Sequence, residues 1–227
     1  MSEKTLTEKI NQGRQYRSMN VMEVRTEGEE DKFIVEGYAT TFNEPYILYD
    51  SRDWEYREQV DPEAFRECDM SDTIAQFDHT GKVYARTSNG TLQLSVDEHG
   101  LKVHMNLGGT TIGRELYEEI KGGYITKMSF GFTVEEDEEL RTSEGNKEVW
   151  LRTIRKIGKL YDVSVVSIPA NDGTEVSARS LVDGVIAKRS QEIEEQKRKE
   201  EEAKKAEAEA KAKEERERLR LHALALI

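Results

Sequence analysis

Short runs rich in β-branched and aromatic residues recur between residues 33 and 168, separated by turn formers. Residues 33–42 (FIVEGYATTF) predict a strand, ended by Asn43-Glu44-Pro45, and a loop is expected from there to Val60. Asp61-Pro62-Glu63-Ala64-Phe65 reads as a helix start, with Asp61 as N-cap and Pro62 in the first turn. Further strands are expected at 73–77, 82–86, 91–96 and 101–107, joined by Ser88-Asn89-Gly90 and Asp97-Glu98-His99-Gly100. The period changes at 110–120, where Ile112, Leu116, Tyr117 and Ile120 share one helical face. Gly122-Gly123 ends that helix and leads into a strand carrying Ser129. Residues 135–146 read as an acidic hairpin or loop, and 149–157 and 160–168 as the last strands, closed by Pro169-Ala170-Asn171. Residues 1–20 lack periodicity and are expected to be flexible.

After Gly184 the chain holds neither glycine nor proline, and from Gln191 it is built of Glu, Lys, Arg and Ala. These are strong helix formers, and Glu precedes a cation by four residues in pairs such as Glu194/Arg198, Glu195/Lys199 and Glu207/Lys211. No apolar seam of heptad spacing runs along it, so a solvated single helix is expected rather than a coiled coil. It ends in an apolar tip, Leu219 to Ile227, suited to docking on another protein. The expected division is a flexible 1–20, a folded 21–183 and a charged helical tail, 184–227. The fold class expected is α+β, mainly β, as an antiparallel barrel surrounded by helices.

Composition sharpens this division. Lys188 to Arg220 holds 12 Lys/Arg and 11 Glu, leaving 22 basic against 35 acidic residues elsewhere, so the body carries the whole negative charge. Such a body repels phosphate backbones, which excludes nucleic acid as its partner. The single cysteine, Cys68, excludes an intrachain disulfide and reads as a small buried hydrophobe, suited to a reducing compartment. No apolar run reaches the roughly 18 residues of a membrane span, and no hydrophobic signal segment opens the chain, so no membrane partner is expected.

The candidate chemistry lies in three strands. Ser129 stands in Lys127-Met128-Ser129-Phe130-Gly131-Phe132, His79 ends Ala75-Gln76-Phe77-Asp78-His79, and Asp162 lies in Leu160-Tyr161-Asp162-Val163-Ser164. A serine needs a base to accept its proton, imidazole is that base near neutral pH, and a carboxylate on the far nitrogen fixes the tautomer. The glycines flanking Ser129 allow close backbone approach toward an oxyanion. Each residue also has a plain structural reading: a pleat position for Ser129, a partner of Arg155 or Lys156 for Asp162. His99 and His104 read as turn and strand residues. No histidine pair or cysteine cluster has metal-ligand spacing, and no cofactor is expected.

Together these residues resemble the prohead (capsid maturation) proteases of tailed DNA bacteriophages, whose fold is similar to that of the herpesvirus assembly proteases. The resemblance spans about Val21 to Ser180. It is carried by Val35-Glu36-Gly37-Tyr38-Ala39 with Phe42-Asn43, by Asp61-Pro62-Glu63-Ala64-Phe65, by the run ending at His79, by Met128-Ser129-Phe130-Gly131-Phe132, and by Asp162-Val163-Ser164 leading to Pro169-Ala170-Asn171. It implies His79 as base, Ser129 as nucleophile and Asp162 as the third member, with Arg86 facing the oxyanion or orienting substrate. The family more often has Glu at the third position, so Asp162 must come closer to His79 or act through water. Thr80 and Ala85 depart from the family pattern. The implied function is a serine endopeptidase in the assembling procapsid, in the host cytoplasm. It would cleave the scaffolding segment of the major capsid protein and itself, and homo-oligomerisation is a further implied partner relation. Two other classes stay open: a non-catalytic assembly module of the same fold, and a hydrolase of small esters or amides. Against the latter stand the lack of Gly-x-Ser-x-Gly and of alternating β/α units.

Overall fold

The computed structural model describes residues 13–19, 33–167 and 176–224, and divides the chain into two units, Met1–Val182 and Asp183–Ile227. Ten strands are described in the first unit: β1 (Gln15–Met19), β2 (Ile34–Thr41), β3 (Tyr46–Asp50), β4 (Trp54–Val60), β5 (Ile74–Phe77), β6 (Thr80–Arg86), β7 (Leu92–Val96), β8 (Gly100–Asn106), β9 (Lys127–Glu144) and β10 (Lys147–Val166). Helix α1 (Thr111–Lys121) begins where its period predicted, with the Thr110 hydroxyl accepting from Gly113 N. It buries Leu116, Tyr117 and Ile120.

The strands form two sheets. One has the order β1-β9-β10-β4-β3, with β5 pairing both β10 and β6; the other is β2-β8-β7. The architecture is α+β and mainly strand, as expected, but no closed hydrogen-bonded barrel is traced among the described residues. Nor is the large sheet purely antiparallel, since β4 and β5 both run parallel to β10. Parallel neighbours need long crossovers, and the chain between β4 or β5 and β10 supplies them. Both sheets and α1 contribute to one core, with Val35, Leu101 and Val103 beside Phe130, Phe132, Val163 and Leu116.

Three local expectations are revised, and a fourth, the acidic hairpin at 135–146, is met. The expected loop before Val60 is the β3–β4 hairpin. Its buried side chains include Trp54, Tyr56 and Glu58, and the interleaved charges masked the strand period. The run after Asp61 forms successive i to i+3 turns and no helix. Ile157 N takes the Ala64 carbonyl that a helix would have offered to Cys68 N. The acidic stretch 135–146 extends β9 and β10 into a long hairpin that turns at Gly145, φ +65°. Finally, Gln15–Met19 is a strand paired with β9 rather than unstructured chain. The expected Pro169-Ala170-Asn171 closure lies outside the described residues, as do residues 1–12.

One charged group is central to the inner side of the large sheet. Glu58 of β4 is fully buried and accepts from Arg17 Nε at 2.5 Å, Arg152 Nη1 at 2.6 Å and Tyr46 Oη at 2.6 Å. Arg17 belongs to β1, which β9 and β10 separate from β4 in the ladder, so the sheet must curl for these side chains to meet. Burial alone would raise the Glu58 carboxyl, but Arg17 and Arg152 outweigh it and hold it down at about 2.

The second unit is the greater part of α2 (Val176–Leu224), 49 residues or on the order of 70 Å of helix. Of the expected pairs, Glu195–Lys199 and Glu207–Lys211 form at 2.9 and 2.6 Å, whereas Arg198 turns to Glu202 at 3.9 Å. The side chains of the apolar tip lie outside the described residues.

Glu58→Gln should destabilise the body by about 3–5 kcal/mol at neutral pH, because Arg17 and Arg152 lose their shared counter-charge. The folded-state carboxyl lies below its ordinary 4.5, so its contribution is complete above that pH and fades as pH falls toward about 2. Urea midpoints measured against pH should therefore drop over that window in the wild type and flatten in the variant.

Candidate active site

Strand alternation sorts residues onto the two sides of the large sheet. Phe130, Phe132, Val163, Val165 and Ala75 point into the core, and the residues between them point to the other side. Register then builds two rows across the strands. Ser129 of β9 pairs with Ser164 of β10, which pairs with Gln76 of β5. Tyr16 of β1 pairs with Gly131, Gly131 with Asp162, Asp162 with Ile74 and Ile74 with Arg86. Ser129, Asp162, Ser164, Gln76 and Tyr16 are all buried, so this second side is covered as well.

His79 enters from the β5–β6 turn. Phe77 pairs with Thr80, leaving Asp78 and His79 as a two-residue connection with φ of 46° and 57°. A hairpin of this length follows the sheet's twist when both central residues are left-handed, a conformation that strains any residue with a Cβ. A latch holds it. Asp78 Oδ1 accepts from Ser167 N at 2.9 Å, Asp78 Oδ2 accepts from Ser167 Oγ at 2.8 Å, and Asp78 N donates to the Val165 carbonyl at 3.0 Å. The hairpin tip is thus tied to the end of β10. Gln76 Nε2 adds a bond to the Gly81 carbonyl at 3.1 Å.

So placed, the His79 ring bridges the two rows. Nε2 lies 2.6 Å from Ser129 Oγ and Nδ1 lies 2.5 Å from Asp162 Oδ1. Asp162 Oδ1 also accepts from Ser164 Oγ at 2.7 Å. Asp162 reaches His79 directly despite its short side chain, and Gly131 supplies the room. A Cβ at Gly131 would collide with Asp162 Oδ2 and come within 2.6 Å of Tyr16 Cε1. The space around this glycine serves the carboxylate. Tyr16 packs its ring against His79, centroids 4.3 Å apart at 62°. Burial and then the Asp162 charge push its hydroxyl up to about 12.

Three of the four residues singled out in the sequence therefore come together. Arg86 does not join them: its half-exposed side chain lies 3.6 Å from Asp72, at the far end of the Gly131 row. His99 packs edge-on to Tyr38 and His104 lies 4.0 Å from Glu36, both in the β2-β8-β7 region. Cys68 is partly buried and burial pushes its thiol up to about 11, away from nucleophilic use. Sequence reasoning did not assign the Asp78 latch, Ser164 or Tyr16. The Asp162-x-Ser164 spacing, which puts two polar groups on one side of a strand, was the signal available for Ser164. Among the described residues no group of three or more His, Cys, Asp or Glu is placed to hold a metal ion, and no helix is long and apolar enough to cross a membrane.

The arrangement can do one thing well. Imidazole Nε2 can take the Ser129 proton while Nδ1–H donates to Asp162, so the positive charge that forms faces a buried carboxylate. Gly131→Ala should displace Asp162, lower the melting temperature by about 5 °C, and abolish the downfield Nδ1–H resonance of His79 in the proton spectrum. Asp78→Ala should broaden the same resonance by freeing the strained turn. Asp78→Asn, which tolerates a left-handed backbone and keeps an acceptor for Ser167 N, should retain most of it.

The profile of the family described as caudovirus prohead serine protease matches residues 20–188. The prohead protease of Enterobacteria phage HK97 is 28% identical over 178 residues, which cover 77% of this chain and 72% of that protein. No solved structure matches. The matched segment takes in His79, Ser129 and Asp162 but begins after β1 and its Tyr16. Spanning most of the chain and the whole of its hydrogen-bonded Ser-His-Asp arrangement, this match establishes that the protein belongs to the caudovirus prohead serine protease family.

Proposed function

We propose that this chain is a serine endopeptidase of procapsid maturation, with Ser129 as nucleophile, His79 as general base and acid, and Asp162 as the carboxylate that orients and charges the imidazole. The observation that carries the reading is the unbroken buried relay from Ser129 Oγ through both ring nitrogens of His79 to Asp162 Oδ1, at 2.6 and 2.5 Å. In the proposed reaction Ser129 Oγ attacks the scissile carbonyl carbon as its proton passes to His79 Nε2. The tetrahedral adduct collapses, the C–N bond breaks, and His79 returns the proton to the leaving amine. Water, deprotonated by His79, then cleaves the Ser129 ester and frees the new carboxylate. The half-exposed Arg86 side chain lies beside Asp72, which favours a role in orienting substrate at the rim over contact with the oxyanion.

The substrates proposed are the scaffolding segment of the major capsid protein and the chain itself, inside the assembling procapsid in the host cytoplasm. The helical tail from residue 184 onward is assigned to assembly. Its charged, solvated length suits either docking on capsid or scaffold subunits or removal by self-cleavage. Homo-oligomerisation is compatible with this role, and the herpesvirus-like closed barrel stays an expectation about the fold.

Co-expression with the cognate capsid protein, as wild type and as Ser129→Ala, tests the reading by intact mass of every product. Shortened capsid protein, or a body lacking its tail, is expected only with the wild type, and the alanine variant should lose at least about 10³-fold in cleavage rate. Identical masses in both, with particles still assembling, would leave a non-catalytic assembly module.

A further inference from the structure

We propose that Tyr16, on a strand that precedes the residues matched by the family profile, is a positioning residue whose ring seals the His79–Asp162 hydrogen bond from water. The inference rests on the protease reading above. Three observations carry it. The ring lies edge-on to the imidazole at 4.3 Å. It also flanks the carboxylate, because the space that a Cβ at Gly131 would take is bounded by both Asp162 Oδ2 and Tyr16 Cε1. And β1 is anchored firmly enough to hold it: five residues pair with β9, and the neighbouring Arg17 is locked to buried Glu58 from the other side of the sheet.

Tyr16 is only 2% exposed and His79 5%, so the imidazole edge facing β1 meets a ring instead of solvent. A hydrogen bond to a carboxylate is stronger in such a dry setting and loses much of that strength once water competes for the same oxygens. With its hydroxyl pushed up to about 12, Tyr16 stays neutral throughout the working range of a histidine base. Its contacts with His79 and Asp162 described above are made by the ring, so its effect on them is that of an aromatic wall. The ring acts through His79 and Asp162. It keeps Nδ1 facing Asp162 and so keeps Nε2 facing Ser129.

The full chain is compared as wild type, Tyr16→Phe, Tyr16→Leu and Tyr16→Ala. Cleavage of a capsid-derived peptide gives kcat and KM, and the downfield Nδ1–H proton of His79 gives the state of the hydrogen bond. Tyr16→Phe should match the wild type in both. Tyr16→Ala should lose about 10–100-fold in kcat, change KM less than about threefold, and show a resonance broadened by exchange with water. Tyr16→Leu keeps the buried volume without a flat ring; it should fall between, and it carries the test where the alanine variant fails to fold. Wild-type kcat and a sharp resonance in Tyr16→Leu or Tyr16→Ala overturn the proposal, as does a Tyr16→Phe variant as impaired as Tyr16→Ala, which would move the role to the hydroxyl. A wild type that cleaves nothing, with the resonance still following the ring through the series, overturns the protease reading and leaves Tyr16 as the wall of the histidine.

Discussion

The antiparallel ladder between β9 and β10 is the constraint on which the rest depends. Its inner register sets Gly131 opposite Asp162 and Ser129 opposite Ser164. A slip of β9 by one residue would turn Ser129 into the apolar core and bring Phe130 and Phe132 out. Apolar packing of the core side therefore fixes polar chemistry on the other. The same two strands support everything else: β1 lies against β9, and β4 and β5 lie against successive halves of β10. The bulges between Ile154 and Asp162 separate those halves and let one strand carry a structural ion cluster at one end and Asp162 at the other.

Much of this was legible in the chain. Met128-Ser129-Phe130-Gly131-Phe132 alternates large apolar with small, which is the pattern of a strand packed tightly on both sides. The helix at 110–120 and the long charged tail were equally plain, because period and composition are local properties. Ser129, His79 and Asp162 could be named, from the resemblance and from residue type, before any geometry existed. What could not be read was non-local. Glu58 and Arg17 look like solvated charges in sequence, and only strand curvature brings them together in the interior. The turn after Asp61 has every local mark of a helix, and it is a backbone donor almost a hundred residues away, Ile157 N, that takes its carbonyl. Tyr16 lay in a polar stretch with no period at all.

Two buried polar assemblies occupy opposite sides of one sheet, and they obey different rules. Around Glu58 two arginines and a tyrosine satisfy one carboxylate, so the charge is heavily compensated and has no proton to exchange near neutral pH. Around Asp162 the partners are a serine hydroxyl and an imidazole ring. The first arrangement suits a strut, since its ionisation state is fixed. The second suits proton transfer, since the carboxylate gains most when the imidazole becomes charged. β1 connects the two, with Arg17 in one and Tyr16 in the other on consecutive residues.

Strain has a defined place in this design. Asp78 and His79 hold left-handed backbones that cost on the order of 1–3 kcal/mol each, and neither is glycine or asparagine. A glycine would relieve the turn at the second position, but it has no imidazole to offer. The Asp78 carboxylate offsets part of the cost through two bonds to Ser167, and it does so at the end of β10 that lies beside Asp162 and Ser164. The tie works in both directions: β10 fixes the tip that carries His79, and the tip fixes the end of β10. Because the aligned pair and the strained turn share these anchors, the histidine can keep its reach of 2.6 Å to Ser129 only while the turn stays latched. The unfavourable backbone is thereby made part of the alignment it supports.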